Sequence, residues 1–309
     1  MSEEGLLAAA GRTIGREVTS ASRVGGGDIN EAWALELQGS ERAFLKSRAD
    51  APEDEYGAEA AGLSWLGEPD GLRVPEVLGV IDEDGVRGLA LEWVERGRLG
   101  SAGEEELGRG LAIIHAAGAD AFDALPPGSP RRTLRFGGVE VTVEPEGTVD
   151  DRGQAPGDAG SPGGWAEVYG RRLDELSRVA LDRGRISEGC ASAVGAVRER
   201  LDQLSGPPEP PARIHGDLWS GNVHAGADGR PWLIDPAAHG AHREMDLAML
   251  ELFGSVSPRT LAAYEDVQPL ADGHEERVGL WQLQPLLVHA ILFGGSYGSA
   301  VERTASLYA

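Results

Sequence analysis

The chain has 309 residues, 41% hydrophobic and 26% charged, enough for one large domain or two ordinary ones of a soluble globular type. Its 28 basic and 51 acidic residues leave a formal charge of −23, which repels phosphate backbones and anionic lipid, so neither nucleic acid nor a membrane is an expected partner. The acidic start MSEEG is unlike a secretory signal, no apolar run approaches the roughly 20 residues of a bilayer span, and the lone Cys190 permits neither an intramolecular disulfide nor a thiolate metal cluster; a cytoplasmic protein is expected.

In chain order, residues 5–24 carry apolar spacing that predicts a short helix, followed by a loop at Gly25, Gly26 and Gly27 and a strand over EAWALEL. A turn leads to a second strand, FLKS, which carries Lys46. The segment EDEYGAEAAGLSWLG then predicts a helix containing Glu59. Two β-rich stretches joined at Glu83-Asp84-Gly85 complete a β-rich lobe over residues 1–94, and residues 95–309 read as a larger helical lobe. Within the second lobe, residues 124–164 are rich in Pro, Gly and Asp and predict a flexible insertion. Its middle, TLRFGGVEVTVEP, suggests a two-stranded flap with a Gly-Gly turn. The expected fold class is therefore α+β with two lobes.

Two residue types are rare enough to stand out. Lys46 is the only lysine, and Asn30 and Asn222 are the only asparagines. Asn222 belongs to the densest motif, His215-Gly216-Asp217 with four intervening residues before the asparagine, followed by Asp235 after an apolar run. This is phosphoryl-transfer spacing: an aspartate to orient an attacking hydroxyl, an asparagine for Mg²⁺ and a later aspartate for the metal that bridges phosphates. A lone D-x-x-x-x-N match is weak, and such residues ordinarily bond loop amides; the order and spacing of the whole set are what carry weight. Upstream, Lys46 suits a strand lysine that meets phosphates and Glu59 the helical carboxylate that holds it, although exposed strand and helix charges are the commoner fate of both types. Gly25, Gly26 and Gly27 are candidates for backbone approach to phosphates, and backbone groups at Glu92 to Val94 for contact with adenine. His215 and Asp246 read as structural support for the motif loop, and His289 as a possible lining residue in a helix that is otherwise core.

These motifs together resemble the fructosamine kinase (ketosamine 3-kinase) family, within the aminoglycoside phosphotransferase and choline kinase superfamily. The resemblance runs through GGDIN, FLKS, AEAAGL, VPEVLGV, HGDLWSGN, LIDPA, AHREMDLAMLELFG and LVHAILFGGSY, most of the chain apart from the insertion. Trp219 in HGDLWSGN is the mark that separates this family from its superfamily relatives. The resemblance implies a protein-kinase-like fold, ATP and Mg²⁺, and phosphorylation of a ketoamine at its 3-hydroxyl, a deglycation activity. It also implies Asp217 as catalytic base, Asn222 and Asp235 as metal ligands, Lys46 on phosphate and Trp219 against the sugar. The chain departs from the family pattern at Ala238, His239 and Ile291 and in the insertion, which leaves acceptor size and preference open. An aminoglycoside- or choline-type phosphotransferase and a nucleotide-binding pseudokinase are the competing readings.

Overall fold

A computed structural model describes residues 3–25, 30–83, 85–143, 164–254 and 256–309. Gly26, Gly27, the turn residue Asp84 and residues 144–163 of the predicted insertion lie outside the described residues. The chain opens with helix α1 (Glu3–Ile14), and strands β1 (Val18–Arg23), β2 (Glu31–Leu37), β3 (Arg42–Ser47), β4 (Val77–Glu83) and β5 (Val86–Glu92) form one antiparallel sheet. Its order is β1-β2-β3-β5-β4, with helix α2 (Glu55–Gly67) inserted between β3 and β4. Successive strand residues face opposite sides, and here both sides are covered. Trp33, Leu35, Ala43 and Leu45 pack with Leu6, Ala9 and Ala10 of α1, while Phe44, Leu89 and Leu91 pack with Tyr56 and Leu63 of α2. Lys46 follows Leu45, shares the face of Phe44, and so points toward α2.

One strand is a correction. Only a helix and a loop were expected before β2, yet Val18–Arg23 pairs with it along its length. As an edge strand it is mostly exposed, and its sequence VTSASR lacks the apolar alternation that marks a half-buried strand.

The second lobe comprises α3 (Ser101–Ala116), the hairpin β6 (Thr133–Phe136) and β7 (Val139–Thr142), α4 (Gly164–Asp182), α5 (Glu188–Glu199), α6 (Leu201–Leu204), β8 (Ala212–Ile214), β9 (Val223–Ala225), β10 (Pro231–Leu233), β11 (His239–Ala241), α7 (Glu244–Leu252), α8 (Pro258–Glu265), α9 (His274–Phe293) and α10 (Tyr297–Ala305). Its core gathers Trp165, Tyr169 and Leu173 of α4 with Trp281 and Leu287 of α9. The Gly-Gly hairpin forms as expected but is no free flap: Leu134, Phe136, Val139 and Val141 are buried in that same core. Alternation on both strands supplies one apolar face, which the lobe covers. The far end of α2 is embedded across the lobe boundary, where Trp65 and Leu66 pack with Leu107, Leu111, Leu218 and Leu233. The architecture is α+β and protein-kinase-like, and among the described residues no helix is long and apolar enough to cross a membrane.

Candidate active site

The short pair β8–β11 delivers His215, Gly216 and Asp217 from the end of β8. Gly216 has φ +81°, and a Cβ there would sit 2.2 Å from the Ala237 carbonyl oxygen, so the turn admits only glycine. The buried carboxylate of Asp246, in the first turn of α7, accepts hydrogen bonds from the His215 amide at 2.7 Å and the Gly216 amide at 2.9 Å. His115 of α3 lies with Nε2 3.2 Å from the same carboxylate and Nδ1 2.8 Å from the Tyr264 hydroxyl. Burial acts against the Asp246 charge, but His115 together with the His215 ring and amide prevails and holds its pKa below the usual carboxylate range. His215 spends both ring nitrogens on backbone: Nε2 donates to the Ile234 carbonyl at 2.9 Å and Nδ1 accepts from the Asp217 amide at 3.3 Å.

Asn222 closes the loop by donating from Nδ2 to the Asp217 carbonyl oxygen at 2.8 Å and to its carboxylate at 3.1 Å. With Nδ2 committed, Oδ1 is the atom left to face a cation. Burial pushes the Asp217 carboxyl upward and the negative Asp235 adds to this, while His215, His289 and Asn222 oppose it. Trp219, 40% exposed, lies over Gly221, where a Cβ would meet the indole at 2.3 Å. The glycine of the W-S-G-N run is thus what lets the indole lie across its own loop.

Across the cleft, the Lys46 ammonium sits 2.5 Å from Glu59 and 2.6 Å from Asp235. Burial disfavours this ammonium, yet the two carboxylates together hold its pKa above the ordinary lysine value. Glu59 is pushed up to about 7 by burial, only partly offset by Lys46, and its Oε1 is buried without a hydrogen-bond partner. Asp235 adopts the left-handed region at φ +53°, uncommon for a residue with a Cβ, and Lys46 outweighs partial desolvation to hold its carboxyl below the usual range.

Asn30, Lys46, Glu59, Asp217, Trp219, Asn222 and Asp235 thus line one cavity of about 440 Å³. In the same lining an arc of rings runs from Trp219 through Phe253, His289, Phe293 and Tyr297, with successive centroids 5.2–6.3 Å apart. His289 Nδ1 donates to the Pro285 carbonyl at 2.7 Å, so its Nε2 is the free acceptor in the neutral ring. Glu92 and Val94 do not line this cavity, and the Glu92 amide is taken by the Glu76 carbonyl at 2.8 Å. Gly25 also lies outside the lining, with open space around it. A separate group, Glu209, His242 and Glu244, has metal-like spacing, but Arg243 and Arg277 each grip one of its carboxylates with two nitrogens. His115, Tyr264, Phe253, Phe293 and Tyr297 were not anticipated from sequence. His115 and Tyr264 meet across 149 residues, and the rings at 253, 293 and 297 stand among apolar residues that read as core.

The two-lobed fold, with a strand lysine facing a helical glutamate and an H-G-D loop facing both, defines a phosphotransferase of the protein-kinase-like class. The fructosamine kinase family profile matches residues 7–123 and 159–307. The chain belongs to the fructosamine kinase family. A probable ketoamine kinase of Thermus thermophilus is 33% identical over 91% of both chains, and one of Synechocystis is 32% identical over 91% of this chain and 87% of its own. The crystal structure of a candidate fructosamine-3-kinase from Thermobifida fusca, 38% identical, superposes with a TM-score of 0.84 over 99% of this chain and 98% of that one. The choline kinase LicA of Streptococcus pneumoniae shares the fold alone, at a TM-score of 0.60 and 15% identity over 99% of this chain and 98% of that one.

Proposed function

We propose that this kinase transfers the γ-phosphoryl group of ATP to the 3-hydroxyl of a ketoamine such as a fructosamine, ribulosamine or erythrulosamine, a step that prepares the glycated amine for release. The observation that carries this reading is the convergence of Lys46, Glu59, Asp217, Asn222 and Asp235, from separate segments, on one cavity walled by aromatic rings. Asn222 Oδ1 and the Asp235 carboxylate are hard oxygen donors that suit Mg²⁺, which when bound neutralises charge on the phosphates. Lys46, steered by Glu59, supplies a fixed positive charge to phosphate oxygens. Asp217 orients the acceptor hydroxyl and takes its proton as the new O–P bond forms and the bond from phosphorus to the ADP oxygen breaks. The backbone grip of Asp246 on the loop, and Asn222 on Asp217, fix where that carboxylate points. A protonated ketoamine nitrogen is attracted by ring faces and by the acidic cleft, which gives the aromatic arc its use. ATP as donor fits work in the cytoplasm.

The test is ATP consumption by purified protein with Mg²⁺ against a fructosamine, a ribulosamine, an erythrulosamine, an aminoglycoside and choline, with Asp217→Asn alongside. Turnover on a ketoamine, lost in the variant, is expected. Turnover on another acceptor alone refutes the substrate assignment, and heat stabilisation by nucleotide without any turnover points to a pseudokinase.

A further inference from the structure

Segment 124–158 lies between the two blocks matched by the family profile, yet its described part supplies a wall of the active cavity, including Pro126, Arg131, Leu134 and Phe136. This wall also reaches the other lobe. Arg135 Nη1 bonds Asp54 Oδ1 at 3.0 Å and Glu55 Oε2 at 2.9 Å, and Arg131 Nη2 bonds Glu55 Oε2 at 3.3 Å. The four side chains are only 10–29% exposed, so these ion pairs are shielded better than surface ones. Asp54 is the N-cap of α2 but makes no capping bond with its side chain; its carboxylate is given to the arginines instead. Pro130 packs against Gly57, where a Cβ would approach the proline ring to 3.0 Å.

The hairpin is firmly mounted. Its apolar face is buried in the core of the second lobe, and Thr142 bonds Glu175 of α4 through its amide at 3.0 Å and its hydroxyl at 3.1 Å. Glu55 and Glu59 are one turn apart and so share a face of α2. A contact that fixes Glu55 therefore fixes the turn that carries Glu59, while the far end of the helix is already embedded by Trp65 and Leu66. We propose that the β6–β7 segment is a latch between the lobes: Arg131 and Arg135 are positioning residues that hold the first turn of α2 and thereby set Glu59 against Lys46. This rests on the reading of Lys46 and Glu59 as the phosphate-site pair. Helix placement of this kind is where phosphotransferases of this fold can be switched on or off, and here the restraint comes from the chain itself.

The experiment compares wild type, Arg131→Gln/Arg135→Gln, Glu55→Gln and Arg135→Lys as full chains, by hydrogen exchange and by steady-state kinetics with ATP and a fructosamine. Expected for the double variant are faster exchange of the first-turn amides of α2 and a loss in kcat/KM for ATP on the order of tenfold, the scale of a mispositioned contact. Glu55→Gln should reproduce part of that loss and add little when combined with the arginine changes, because all remove one interaction. Arg135→Lys should recover only part of the activity, since an ammonium that meets Asp54 and Glu55 as Nη1 does lacks the second guanidinium nitrogen that bonds Glu140. Unchanged exchange in α2 overturns the latch, as does faster exchange with unaltered kinetics. A rise in the KM of the acceptor alone, with α2 undisturbed, also overturns it and makes the arginines acceptor contacts. A wild-type chain without turnover refutes the functional reading, while exchange in α2 still decides whether the arginines restrain the helix.

Discussion

The two sides of the cleft are held by different physics. On one side, the loop bearing Asp217 hangs from a buried scaffold in which Asp246, His115 and His215 bind backbone amides, carbonyls and one another. On the other, Lys46 is held by opposite charge between Glu59 and Asp235, the latter reaching across from the second lobe, and Glu59 keeps one oxygen without a partner. A satisfied hydrogen-bond network fixes geometry, whereas a charge cluster buried at Lys46 and Glu59 and open to the cleft at Asp235 is poised and sensitive to whatever charge enters. The first suits a group that must point in one direction; the second suits the proposed role of Lys46, a group that exchanges partners when phosphates arrive.

Four measurements bear on this contrast. Asp217→Asn should lower kcat on the order of 10³-fold with nucleotide stabilisation retained, because it removes the proposed proton acceptor and leaves the scaffold intact. Asp246→Ala strips the acceptor from two buried amides and His115, and should lower stability by about 3–5 kcal/mol in urea unfolding. An unchanged unfolding midpoint would mean that the scaffold does not hold the loop. On the opposite side, kcat/KM for ATP should fall as pH drops through about 7, because protonated Glu59 no longer pairs with Lys46. Glu59→Gln should abolish that inflection. The sign for folding is the reverse: with its pKa raised from 4.5 to about 7, Glu59 binds an extra proton in the folded state, so its contribution to stability is lost as pH rises across that window. Smallest of all, Phe293→Ala at the rim of the arc, 56% exposed in the native chain, should raise the acceptor KM roughly threefold with kcat unchanged.

Both sides were partly legible in the sequence, for different reasons. The α+β class and the H-G-D-x-x-x-x-N loop could be read because their signals are local: periodicity in one case, spacing in the other. The lone lysine stood out by scarcity, and its strand-face position next to Leu45 follows from alternation. What could not be read is pairing across distance. His115 lies 131 residues from Asp246, and nothing in the helix containing it distinguishes a ligand of the scaffold from a core histidine. β1 escaped because an edge strand of Ser, Thr and Ala carries no apolar period. The hairpin was visible as two strands, but its surroundings in Pro, Gly and Asp suggested mobility; the burial of Leu134, Phe136, Val139 and Val141 depends on helices distant in sequence.

The single lysine has a further consequence. Sugars condense with neutral amines, and the only ε-amine in this chain is kept charged, 6% exposed and clasped between two carboxylates. The other 27 strongly basic side chains, 28 less that lysine, are guanidiniums. Its side chains therefore offer a reducing sugar almost nothing to form a Schiff base with. By composition and by the burial of one residue, the side chains of this fructosamine kinase family member are a poor target for condensation with a reducing sugar.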